Sequence, residues 1–117
     1  MATALNVFRT VTSNLFTTGN VIYTTPSRKT SIVLMIQISN VSNTLANVSF
    51  YHRANSILGF SNVALAEKFD IPAGDSASVI GGGTGKLVLE TGQSVFAKAG
   101  ENNRLQLVMS ILETAND

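Results

Sequence analysis

Apolar and polar residues alternate along much of this chain, and clusters of Gly, Pro, Asn, Asp and Ser interrupt the alternation about every eight to twelve positions. Successive side chains of an extended strand point to opposite faces, so a period of two marks strands with one buried face. The clearest run is Thr30 to Asn40, in which Ile32, Leu34, Ile36 and Ile38 share one face. Arg104 to Glu113 repeats the pattern with Leu105, Leu107, Met109 and Ile111. Between them, strands are expected at Ala46–Arg53 (Val48 and Phe50 inward), Val63–Phe69, Ala77–Ile80, Lys86–Glu90 (Leu87 and Leu89 inward) and Ser94–Ala99. Asn20–Thr24 comes earlier, preceded by a weak strand near Leu5–Phe8. The pattern predicts an all-β chain of about eight antiparallel strands, folded as a single β-sandwich of jelly-roll or Ig-like type.

The punctuation agrees. Pro26 ends one strand, and the polar segment Pro26-Ser-Arg-Lys29 leads into the long one. Ile71-Pro-Ala-Gly-Asp75 places Pro and Gly for a tight turn. Thr91-Gly-Gln93 reads as a hairpin connection, and Gly100-Glu-Asn-Asn103 does the same before the last strand. Around Arg53–Leu65 the alternation blurs near Gly59, which predicts a loop with at most one helical turn. Residues 1–18 are weakly patterned and read as an N-terminal arm or a weak first strand, leaving 19–117 as the sandwich domain. Leu5, Val7 and Phe8 are the apolar residues with which such an arm would grip a partner.

Two strands carry apolar residues where solvent-facing positions should be polar. On simple alternation Val33 and Met35 face outward from the long strand, as do Val108 and Leu112 from the last. An outer face covered by a loop or by another subunit is expected there, with these four residues as the candidate self-interface of a homo-oligomer.

Composition sharpens this. The chain has 117 residues, 44% of them hydrophobic and only 13% charged, about half the usual charged share. Ser, Thr, Asn and Gly do much of the work of covering the surface, and such a surface is easily desolvated against another protein. The net charge is +1 with no basic run beyond Arg28-Lys29, so no electrostatic footprint for nucleic acid is expected. No apolar stretch is long enough for a membrane span, and the N-terminus lacks the pattern of a secretory signal, so synthesis in the cytoplasm is expected. Cysteine is absent, which removes disulfides, thiolate metal sites and cysteine nucleophiles.

Little catalytic chemistry can be assembled. Gly81-Gly-Gly-Thr-Gly-Lys86 invites a phosphate-loop reading, but Ile80 stands where the first Gly is required and Leu87 where Ser or Thr should follow the lysine. It reads as a flexible connection between strands. His52 is the only histidine and has no second one to share a metal. The acidic residues Glu67, Asp70, Asp75, Glu90, Glu101, Glu113 and Asp117 form no calcium-loop pattern. No enzyme activity, metal or cofactor is expected. Tyr23, Tyr51 and Phe60 are the aromatics that could form a carbohydrate platform, although aromatics on strands more often belong to a core.

Four segments in order carry a resemblance: Val21-Ile-Tyr-Thr-Thr-Pro-Ser-Arg-Lys-Thr-Ser-Ile-Val-Leu34, Ile36-Gln-Ile-Ser-Asn-Val-Ser42, Phe69-Asp-Ile-Pro-Ala-Gly-Asp75 and Leu87-Val-Leu-Glu-Thr-Gly-Gln-Ser-Val95. Together they resemble small β-sandwich virion proteins of tailed bacteriophages, over most of the chain from Val21 onward. The family-like segment has Ala-Gly after its first proline, where this chain has Ser27-Arg28. The resemblance implies a structural role without catalysis, first as a capsid cement or decoration subunit bound to the major capsid protein or other virion proteins. It implies a homo-oligomer, with a trimer suited to icosahedral three-fold axes, made in the host bacterial cytoplasm and located in the virion. A tail, baseplate or fibre-associated module is the alternative, and a carbohydrate-binding host-recognition module is the third.

Overall fold

The computed structural model describes residues 6–56, 59–80 and 86–115. They form nine strands: β1 (Asn6–Asn14), β2 (Asn20–Thr24), β3 (Lys29–Asn40), β4 (Ala46–Ser56), β5 (Gly59–Ile71), β6 (Ser76–Ile80), β7 (Leu87–Leu89), β8 (Ser94–Ala99) and β9 (Leu105–Ala115). One sheet has the order β1-β9-β3-β6, with β7 also on β3, and the other the order β2-β8-β4-β5. Every pairing is antiparallel. β6 pairs with Ile36–Ser39 and β7 with Ser31–Val33 of β3, so the two short strands lie end to end and fill one strand position. With that position counted once, two four-stranded sheets exchange the chain in the order of a jelly roll, which decides between the two sandwich types left open by the sequence. The glycine run at 81–85, expected to be a flexible connection, lies outside the described residues.

The core lies between the sheets. Leu105, Leu107, Met109 and Ile111 of β9 face it, as their alternation predicts, together with Val48 and Phe50 of β4 and Leu89 of β7. β3 departs from its pattern. Val33 pairs with Ile111 and Met35 with Ser110, so Leu34 is an extra residue in a β-bulge. Inserting one residue moves the following side chains to the opposite face relative to simple alternation. Ile36 and Ile38 are therefore inward, but before the bulge the inward residues are Ser31 and Val33, both fully buried. Val33 belongs to the core and not to an outer interface, while Ile32, Leu34 and Met35 are half-buried.

Other boundaries also move. The segment expected as a loop around Arg53–Leu65 is the far part of the β4–β5 hairpin, paired from Ala46↔Ile71 to Ser56↔Gly59. Beyond Arg53, β4 has no partner in β8, so the hairpin runs past the sheet in a molecule whose longest dimension is 51 Å. The weak N-terminal strand is a full edge strand, because all of Asn6–Asn14 pairs with β9. Neither Thr91-Gly92-Gln93 nor Gly100-Glu-Asn-Asn103 is a hairpin: the first carries the chain from β7 on β3 to β8 in the other sheet, and the second carries it back from β8 to β9. Such crossings are the substance of a jelly roll, and local turn chemistry is the same for both uses. Gly92 has φ 82° and Gly74 φ 71°, each closed by a bond between flanking residues, Gln93 N–H to Glu90 O at 2.9 Å and Asp75 N–H to Pro72 O at 3.1 Å.

Asn40 ends β3 fully buried, and its side chain is saturated. The amide nitrogen donates to Thr44 O (2.7 Å) and Ile71 O (2.9 Å), and the oxygen accepts from the Ser42 N–H (3.0 Å) and hydroxyl (2.7 Å). One residue thereby holds the β3–β4 connection to the end of β5. Arg28 occupies the left-handed region, with φ 63°. A side chain there costs about 1 kcal/mol relative to Gly. Arg28→Gly is expected to leave the fold intact and to raise, or at least not lower, the urea midpoint, whereas Asn40→Ala should lower stability by about 2–3 kcal/mol through its orphaned carbonyls and N–H. Equilibrium unfolding of both variants beside the parent checks the pair.

Candidate functional site

Two features stand out from the sandwich: an outer face without charge and a buried carboxylate beneath its edge. The outer face belongs to the β1-β9-β3-β6/β7 sheet. Register places its side chains in rows across the strands: Phe8–Leu112–Ile32–Val88, then Thr10–Ser110–Met35, then Thr12–Val108–Gln37–Ser78, then Asn14–Gln106–Ser39–Ser76. None of these residues is charged. Phe8 is 74% exposed, Val88 54% and Val108 39%, while Leu112 and Ile32 between them are half-buried. Charges begin only at the rim, at Lys86 and Glu90 on either end of β7. A shallow hollow of about 480 Å³ lies between β1 and β9 on this side, lined by Thr12, Asn14, Gln106 and Val108 among others.

The opposite face is different in kind. There Tyr51 packs on Phe96 with ring centroids 6.1 Å apart, and the Arg53 guanidinium sits 4.4 Å above the Phe96 ring. Gly19 (φ 73°) lies so close beneath this ring that a Cβ would stand 2.4 Å from Phe96 Cζ. Lys98, Glu67 and Asp70 are exposed around it, and Tyr51 donates to Glu67 at 3.3 Å. Of the expected carbohydrate-platform aromatics, Tyr51 is thus engaged with its neighbours, Tyr23 is turned to the buried carboxylate described next, and the Phe60 side chain lies outside the described residues.

Glu113 of β9 points inward with its side chain 1% exposed. Its Oε1 accepts from Arg9 Nε of β1 at 2.8 Å and faces Lys29 Nζ of β3 at 3.6 Å. Its Oε2 accepts from the Tyr23 hydroxyl of β2 at 2.5 Å. Tyr23 commits its one hydroxyl hydrogen to the bond with Glu113, so Ser31 Oγ, 2.7 Å away, is the donor to the Tyr23 oxygen. The cluster therefore ties three strands of one sheet to an edge strand of the other. Burial works to raise the Glu113 pKa, but the hydrogen bonds from Arg9 and Tyr23 and the charges of Arg9 and Lys29 outweigh it and hold the carboxyl below its ordinary value. Burial and the bond to Glu113 push Tyr23 up to about 12. Both groups keep their protonation state throughout the neutral range, so the arrangement clamps the strands over that range.

The sequence-predicted self-interface is partly assembled. Met35, Val108 and Leu112 share the uncharged face, Val33 does not, and Ile32, Phe8 and Val88 join it. Of the residues assigned to a partner-binding arm, Phe8 belongs to this face, Val7 is half-buried opposite Glu113, and Leu5 lies outside the described residues. Ile32 and Phe8 were hidden by the bulge and by the weak patterning of β1. Glu113 carried no signal, since a carboxylate at an inward position reads as a strand end. His52 is half-buried with Nε2 3.2 Å from Gln93 Oε1, and no group of His, Cys, Asp or Glu among the described residues could hold a metal ion.

The chain is a jelly-roll β-sandwich protein with one uncharged sheet face. A solved structure of Bacillus endospore appendages, disulfide-linked pili, matches it with a TM-score of 0.57 at 11% identity, covering 96% of this chain and 88% of that one. At that identity the likeness is one of fold. No protein-family model and no curated protein matches the chain.

The clamp has a pH signature. Glu113 is ionised in the folded chain at pH values where the unfolded chain protonates it, so its contribution is present above the ordinary carboxylate value of 4.5 and disappears as pH falls through the lower folded value. Tyr23 has the opposite sign: its contribution is intact below 10 and is lost as pH rises toward about 12. Thermal melts against pH should show both flanks; Glu113→Gln should flatten the acid one and Tyr23→Phe the alkaline one. Glu113→Ala should destabilise the fold by about 1–3 kcal/mol at neutral pH, since it takes the charged acceptor from the part-buried Tyr23 hydroxyl.

Proposed function

We propose that the protein is a structural subunit of a bacteriophage virion, a cement or decoration protein that stabilises the shell through protein–protein contacts. The observation that carries this reading is the uncharged outer sheet face, with the apolar row Phe8–Leu112–Ile32–Val88 at one end and amide and hydroxyl rows at the other. A face meant for water is normally studded with charges of both signs. One without charge desolvates at low cost against another protein. Repetition over a particle then turns modest single contacts into firm attachment. The phage assignment rests on the four resembling segments, and the partner it implies is the major capsid protein or another virion protein.

The second reading is a tail, baseplate or fibre-associated module. The fold likeness to pili favours it, because there the same sandwich belongs to an extended appendage. The chain has no cysteine, so any filament it built would be held without disulfides. Cryo-electron microscopy of intact particles, with gold-labelled antibody to this chain, tests the proposal. Regular density on the capsid is the expected result, and particles lacking the chain should release DNA at lower temperature. Density confined to the tail would replace the first reading by the second, and particles free of the chain would overturn both.

A further inference from the structure

We infer that the uncharged face binds a second copy of this chain, face to face, about a two-fold axis running along the strands. This rests on reading that face as an assembly surface and adds the identity of its first occupant. Two observations lead to a second copy. In an isologous contact each patch meets itself, so any charge near the axis would be set against its own like. The rows from Phe8 to Ser76 contain none. The other sheet's outer face, with Arg53, Lys98, Glu67 and Asp70, offers charges that this face has nothing to pair with.

The order of the rows selects the axis. A two-fold across the strands would lay the apolar row against the Asn14–Gln106–Ser39–Ser76 row and strand its amides without partners. A two-fold along the strands returns each row to itself, in the aligned packing that twisted sheets adopt at about 30°. It also exchanges the two edges. Phe8 of one copy then meets Val88 of the other, and Leu112 meets Ile32. The most exposed apolar residues of the face, at its two ends, thus cover one another. In the third row the β1–β9 hollow faces Gln37, whose amide donates to Ser76 at 3.1 Å.

The size fits. Four strand positions about 4.8 Å apart and some nine residues long give roughly 500 Å² in projection before side-chain relief is counted. That is the scale of the ~800 Å² per partner buried in specific interfaces. The contact closes as a dimer, in place of the trimer that the phage resemblance implies.

The test uses the full chain, with light scattering and sedimentation over a concentration series. The parent should be a dimer. Phe8→Lys and Val88→Lys, both at exposed positions, should each weaken dimerisation by at least about tenfold while leaving the melting curve of the monomer in place. The double variant F8K/V88E should recover the dimer and make it salt-sensitive, because each Lys then meets the partner's Glu. Lys98→Glu on the other face should change nothing. Two cysteines introduced together at positions 8 and 88 are about 14 Å apart within one chain, so a short thiol cross-linker should join them only between copies. A parent that stays monomeric, a dimer indifferent to both lysine variants, or failure of F8K/V88E to recover would each overturn the inference. The virion reading is judged separately: a monomer found on capsids overturns only the dimer, and a dimer absent from particles overturns only the virion.

Discussion

β9 is hydrogen-bonded on both sides along its whole length, to β1 and to β3, and the rest of the structure is arranged around that commitment. A strand paired on both edges cannot slip by one residue without turning all its inward side chains to solvent. The uninterrupted alternation of Leu105, Leu107, Met109, Ile111 and Glu113 therefore sets which side of the sheet is core for its neighbours too. β3 has to match it, and does so with the extra residue Leu34, so that Val33 and Ile36 are both inward. The chain's beginning is held beside its end by the same strand, which closes the jelly roll.

Glu113 is the exception within that alternation, a carboxylate at a core position. Removing an ion from water costs several kcal/mol, and only good pairing offsets it. Here the offset comes from Arg9, Lys29 and Tyr23 together, each on a different strand. The arrangement is specific in a way that an apolar residue would not be. A one-residue slip of β1 would carry Arg9 to the outer face and leave the carboxylate short of a partner. The same event would put a charge on the one sheet face that has none. Register of the edge strand and neutrality of the outer face are thus enforced by one contact.

The distribution of charge between the two outer faces follows from this. Glu113 is buried and Arg9 reaches to it from the edge strand with its side chain half-exposed, so the β1-β9-β3 face keeps hydroxyls, amides and a single apolar row, while Arg53, Lys98, Glu67 and Asp70 are left to the other sheet. The low overall charge of the chain is therefore not spread evenly. It is concentrated on one side and at the rim. That asymmetry gives a small sandwich two outer faces of different character, one carrying charges of both signs and one carrying none.

The strands themselves were legible from alternation and turn residues, because both are local: a period of two and a Gly or Pro at a break do not depend on distant partners. So were the inward residues of β9 and β4, and the outward placement of Met35, Val108 and Leu112. What the sequence could not contain was anything decided by a partner strand. Leu34 looks like any other alternating residue until β9 opposes it, and Val33 was placed outside for that reason. Thr91-Gly92-Gln93 closes a turn with the same chemistry whether the next strand pairs beside the last or crosses to the other sheet. Glu113 and Tyr23 are ninety positions apart, and only the closing of the two sheets puts a proton between them. Strand identity is a property of neighbours along the chain, whereas register, crossing and burial are properties of neighbours in space, and those the tertiary structure alone decided.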